Sequence, residues 1–188
     1  MTESKEMFRY VAFMRGINVS GHHKIPMAEL RQEMAKIGCE NIVTILNSGN
    51  VIFDSRKAHL SRLEEEIAAH LEKVFGFSVP TILRKQTSIL QLISKDPFRD
   101  IVVTNDIRLY VSLLWKDVEA DLTLPWISED GSSKIIDKLD NNILSVLDIS
   151  VSNTPKGMGI IESFYGKAIT TRSWNTIKRI GKKLTNGQ

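Results

Sequence analysis

Residues 8–27 read FRYVAFMRGINVSGHHKIPM, an apolar strand that runs straight into a polar loop and then into a helix start. Within 8–14, Tyr10, Ala12 and Met14 alternate with Val11 and Phe13, so both faces of the strand are apolar. Alternate residues of an extended chain point to opposite faces, and a strand apolar on both is one covered on both sides. The loop at 15–27 carries Arg15, Gly16, Asn18, Gly21, His22, His23 and Lys24. Strand–loop–helix corners gather backbone N–H groups and cationic side chains, and they often bind anions.

Outward from this corner, Pro26 opens a helix with Met27, Leu30, Met34 and Ile37 on one face, and Gly38 ends it. The runs IVTIL (42–46) and NVIF (50–53) read as short strands joined through Asn47-Ser48-Gly49-Asn50, a hairpin signal. Ser61 and Glu64 have capping-box spacing before a stripe of Leu63, Ile67, Leu71 and Val74. Gly76 closes that helix, and SVPTILR (78–84) is another strand. The order is β-α-β-β-α-β, the split ferredoxin-like unit.

The second half repeats this order without repeating the sequence. Residues 87–94 read as a short connecting helix, 95–106 as a linker and 107–114 as a strand with Ile107, Leu109, Val111 and Leu113 alternating. A short helix is expected near 118–122. A hairpin follows at 134–139 and 143–149 across Asp140-Asn141-Asn142. The pattern then predicts a helix over 155–165, a strand over 168–170 and a final helix over 173–184. The expected fold class is therefore α+β, two ferredoxin-like (βαββαβ) halves packed together. Residues 1–86 form the first half and 87–188 the second, which would cover the bare face of the first sheet.

The chain has 188 residues, 42% hydrophobic and 25% charged, as in an ordinary soluble globular protein. Its apolar runs are too short to cross a bilayer, and the first ten residues lack a signal-peptide core. The single cysteine, Cys39, allows no internal disulfide and suits a reducing cytoplasm; beside Gly38 it reads as a small buried residue. The net charge of +3 is mildly basic, with Lys178, Arg179, Lys182 and Lys183 near the end. A solvated helix face accounts for that cluster as well as a polyanion partner does.

Gly16 and Gly21 have the spacing of a phosphate-binding P-loop, but His22 and His23 follow where a Walker loop needs Lys and then Ser or Thr. A generic anion pocket of Arg15, Lys24 and local N–H groups fits better. Adjacent loop histidines rarely share a metal, and no cluster supplies further ligands, so neither a metal nor a cofactor is expected. Asn47–Asn50 is turn chemistry whose side chains also offer neutral hydrogen bonds, and Ser48 has no identifiable base. Thr171 or Ser173 is a natural N-cap, while Trp174, Ile177, Gly181 and Leu184 share a core-facing stripe. Arg172 and Asn175 flank that cap and make a second candidate anion site. No aromatic signature of an RNA-recognition sheet is present.

Three segments together, YVAFMRGINVSGHHKIPMAELR (10–31), TILNSGNVIFDS (44–55) and TTRSWNTIKRI (170–180), resemble the DUF1697 family, a domain of unknown function. The resemblance spans nearly the whole chain. It implies a small bacterial α+β protein of ferredoxin-like halves, with no established activity. It marks Arg15, Gly16, Asn18, Lys24, Pro26 and Met27 in the first motif. Ser48, Gly49 and Asn50 are marked in the second, and Thr171, Arg172, Trp174, Asn175 and Thr176 in the third. The chain departs from the pattern at Ser20 and His22, where the loop is usually richer in glycine, and at Ser173, where the motif usually has Asn.

The expected function is a cytoplasmic binding module for an anionic ligand: a nucleotide, a phosphometabolite or, less well supported, a nucleic acid. The candidate ligand-binding residues are Arg15, Gly16, Asn18, Lys24, Ser48, Gly49, Asn50, Arg172 and Asn175. The alternatives are an enzyme acting on a small molecule, with catalytic residues not identified, and a structural or protein-interaction domain. No membrane partner is expected, and the sequence does not specify an oligomeric state.

Overall fold

The computed structural model describes residues 6–19 and 21–186; Ser20, one of the departures named above, lies outside them. The chain forms two compact units, one running to Leu90 and including the stretch from Lys182 on, the other Gln91–Gly181. Among the described residues it is an α+β protein with two antiparallel sheets and five helices. No helix among the described residues is long and apolar enough to cross a membrane.

The first unit runs β1 (Phe8–Met14), α1 (Met27–Lys36), β2 (Glu40–Ile45), β3 (Asn50–Ser55), α2 (Leu60–Phe75) and β4 (Thr81–Lys85). This is the β-α-β-β-α-β order expected from the periodicity. The strands lie in the order β2-β3-β1-β4, placing β1 inside the sheet, where Val11 pairs with Ile52 on one side and Arg84 on the other. Tyr10, Ala12 and Met14 share a core with Val51, Phe53, Leu83 and the inward residues of the two helices, Leu30, Met34, Leu63, Ile67 and Leu71. Their partners in alternation, Val11 and Phe13, are equally buried, with Ile52 and Ile82.

Two expectations for α2 need correction. The Ser61/Glu64 capping box does not form: the helix starts at Leu60 behind His59, whose side chain makes no cap bond. Glu64 is instead buried, and its Oε1 accepts the Leu83 backbone N–H at 2.7 Å. The sheet edge competes for the same carboxylate and wins, because β4 needs an acceptor in a region water cannot reach. Val74, the last member of the expected stripe, is 44% exposed, so the apolar face ends a turn earlier.

Helix α3 (Gln86–Lys95) crosses the boundary at Leu90. The second unit then contains β5 (Ile107–Leu114), β6 (Trp126–Ile127), β7 (Ser133–Leu139), β8 (Asn142–Asp148), α4 (Thr154–Tyr165), β9 (Ile169–Ser173) and, up to Gly181, α5 (Trp174–Thr185). The sheet order is β6-β7-β8-β5-β9. The helix expected near 118–122 is absent, so the second half does not repeat βαββαβ in full. Val118, Ala120, Leu122, Leu124 and Trp126 pack instead on the core of Leu114, Ile135, Ile143, Ile161, Tyr165 and Ile169. That alternation has period 2, which belongs to extended chain, not to a helix. Lys138 secures the segment by pairing with Asp117 at 2.8 Å and Glu119 at 2.6 Å. Downstream, Asn153 caps α4 by accepting the Lys156 N–H, with Pro155 in the first turn.

Candidate functional site

The loop after β1 and the β2–β3 hairpin tip meet in the first unit, and Asn18 is the residue that joins them. Its Nδ2 donates to Asn47 O at 2.8 Å and to Ile25 O at 3.1 Å, while its Oδ1 accepts the Ile25 N–H at 2.9 Å. One amide thus holds both sides of the loop and ties it to the hairpin. Asn18 sits at φ 54, a left-handed conformation that Asn tolerates better than most residues. Beneath it, Ile17 and Ile25 are buried and anchor the loop to the core.

Gly49 seals the contact from the hairpin side. Its carbonyl accepts the Met14 N–H at 2.8 Å, and its φ is +75. A Cβ there would stand 2.8 Å from Met14 Cβ and 2.9 Å from Ile17 Cδ1, so only glycine fits. Asn50, read from sequence as part of the turn, is the first residue of β3 and fully buried. Its Nδ2 donates to Ile45 O at 3.1 Å and to Ser48 Oγ at 2.9 Å. Ser48 itself is exposed on the tip.

The cations of this corner stand differently. Arg15 is half-buried and its backbone N–H donates to Pro80 O at 2.9 Å. Gly16 is exposed, and its carbonyl lies 3.1 Å from His23 Nδ1. His23 stacks on Phe77 at 4.4 Å between ring centroids, so it braces the loop. Lys24 is exposed and lines an open cleft of about 490 Å³ with Asn18, Gly21, Pro26, Met27 and Asn47.

The third group of marked residues lies at the β9–α5 junction of the second unit. Arg172 donates to Thr170 Oγ1 at 2.8 Å and to Thr171 O at 2.9 Å. Burial pulls its guanidinium down to about 10, which still leaves it cationic at neutral pH. Ser173 Oγ accepts the Thr176 N–H at 3.2 Å, the bond of an N-cap. Trp174 is buried against Phe98, 5.3 Å between centroids, and Ile177 and Leu184 of the same helical stripe are buried too. Asn175 points away from that stripe and is exposed.

One polar cluster escaped the sequence reading. Arg9 clamps Asp54 with Nε to Oδ1 at 2.7 Å and Nη2 to Oδ2 at 2.9 Å, and Asn41 Nδ2 adds a bond to Oδ2 at 2.8 Å. Burial pushes the Asp54 carboxyl up, but the bonds from Arg9 and Asn41 more than offset it and hold it below its usual range. Arg9 and Asp54 are direct cross-strand partners, a relation set by register and invisible along the chain. Cys39 is buried, and burial pushes its thiol up to about 12, the environment of an inert thiol. Among the described residues, no three His, Cys, Asp or Glu side chains gather as a metal site.

A family model described as "Protein of unknown function (DUF1697)" matches residues 7–135, which include both motifs of the corner. The chain belongs to the DUF1697 family. A comparison with the curated proteins finds no match. Among solved structures, the conserved bacterial protein SP0830 from Streptococcus pneumoniae is similar, with a TM-score of 0.72 and 24% identity. The alignment covers 96% of this chain and 99% of that one. At that identity the likeness speaks for the fold alone.

Proposed function

We propose that this protein of the DUF1697 family is a cytoplasmic binding module for a small anionic ligand, seated at the corner between the β1 loop and the hairpin tip. The observation that carries this reading is the division of labour around Asn18. Its amide is spent on Ile25 and Asn47, which fixes the corner, while Lys24 stays exposed on the cleft of about 490 Å³. A site held rigid before binding loses less conformational freedom when the ligand arrives. Lys24 supplies the charge, and Gly21 and Asn47 supply close approach and neutral polar groups. In this reading Asn18, Gly49 and Asn50 are positioning residues rather than contacts. A nucleotide or phosphometabolite suits a cleft of this volume.

The same reading treats both units as ferredoxin-like. The first has strand order β2-β3-β1-β4, and the second has β7-β8-β5-β9 with an extended segment in place of its first helix.

Pyrophosphate is the probe for the corner. The melting temperature of the full chain should rise on adding it, and Lys24→Ala should abolish the rise with little change in the unliganded melting temperature. An equal rise in the variant, or none in either protein, overturns the proposal. A second reading, a structural domain without a ligand, draws on the same bonds, since the amides of Asn18 and Asn50 are satisfied internally. An absent pyrophosphate response would favour it.

A further inference from the structure

We infer that the second unit carries its own binding cleft, one for a phosphate monoester attached to an apolar body, with Arg108 and Lys178 as the recognising cations. The cleft, about 520 Å³, lies between the start of β5 and the first turns of α5. Its volume is that of small-molecule sites. Arg108 and Lys178 both line it, and among the described residues no Asp or Glu does.

Neither cation makes an ion pair among the described residues. Among the described residues Arg108 bonds only through Nη1, donating to Asn105 O at 2.7 Å and to Ile107 O at 3.2 Å. Those two bonds hold the guanidinium against β5 and leave the Nε and Nη2 edge for an acceptor. A planar edge of that kind matches two oxygens of a phosphate, and a lysine ammonium adds a point charge to the third. Arg9 and Lys138 show the contrast: Arg9 is clamped on Asp54, and Lys138 holds two carboxylates. Two unneutralised cations on one cleft match the charge of a phosphate monoester, which approaches minus two at neutral pH.

The rest of the lining sets the other half of the ligand. Val103 and Leu109 form an apolar wall beside the cations, over the buried Trp174, while Thr104 and Asn175 add neutral hydrogen-bonding groups. Val103 is 60% exposed and its neighbour Val102 is 82% exposed. An aromatic or aliphatic body bearing the phosphate would take that wall out of water, which is favourable in proportion to the area removed.

The test is a titration of the full chain with phenyl phosphate, followed by backbone amide NMR. Signals from 103–109 and 173–178 should move together to a common saturation. Arg108→Gln and Lys178→Gln should each weaken binding roughly tenfold or more, because each removes a charge-assisted contact. In Lys24→Ala the signals from 103–109 and 173–178 should shift with the same saturation, whatever the corner of the first unit does, which separates the two clefts. Lys178 is exposed, so its variant reports even where Arg108→Gln perturbs β5. The assignment is overturned if those segments stay silent at about 10 mM phenyl phosphate, far above useful affinities, or if both variants bind as the wild type does. Inorganic phosphate should bind more weakly than phenyl phosphate; equal binding overturns the apolar half of the assignment.

Discussion

The corner of the first unit and the β9–α5 junction of the second are both rich in polar residues, yet they use them in opposite ways. At the corner, Asn18, Ser48, Gly49 and Asn50 turn their groups on one another and on nearby backbone, so most of the motif is architecture. At the junction, the fold takes Ser173 for a cap and Trp174 for the core, while Asn175, Lys178 and nearby Arg108 face an open cleft. Arginines draw the same contrast. Arg9 is spent on Asp54 and Arg108 only on backbone carbonyls. A dense polar motif is thus no measure of binding capacity; what matters is how many of its groups the fold has already satisfied.

The largest effect should come from Gly49→Ala. It forces a Cβ to 2.8 Å from Met14 Cβ at a positive φ, so strain and overpacking add. A loss of about 3 kcal/mol is expected in urea unfolding of the full chain. A loss below about 1 kcal/mol would mean that the corner yields easily and is not the rigid frame described above.

Asn50→Ala comes next. It removes the donor to Ile45 O and Ser48 Oγ from a fully buried site, at a cost of about 2 kcal/mol. If unfolding free energy is unchanged while pyrophosphate affinity collapses, Asn50 is a ligand contact and the architectural account of the corner fails.

The smallest effect is the pH response of the spent pair. Asp54 ionises in the folded chain below its ordinary value of 3.8, so its contribution is complete above that range and is lost as the pH falls through the folded value. The melting temperature of the wild type should therefore drop on going from about pH 5 to about pH 3, and Asp54→Asn should flatten part of that drop. Identical slopes would show that the Arg9–Asp54 clamp does not depend on charge.

Much of the first unit was legible from periodicity. The alternation in 8–14, the helix face of Leu30 and Met34 and the hairpin signal around Gly49 each report a local demand that one residue type satisfies. The candidate residues were legible as positions, but their roles were not. Asn18 and Asn50 were expected to meet a ligand, and the structure occupies their amides with Ile25, Asn47 and Ile45. The missing helix near 118–122 was a misreading of period. Val118, Ala120, Leu122 and Leu124 alternate in sequence just as they pack.

The sequence by itself determined the order of elements in the first unit, the family and the α+β class, because these follow from spacing along the chain. Only the tertiary structure decided that Glu64 serves β4 instead of capping α2, that Arg9 meets Asp54, and that Arg108 and Lys178 share a cleft. Each of those depends on which distant backbone or charge arrives beside the side chain. Burial then sets the value of the contact, since a polar group away from water takes whichever partner the fold brings within reach.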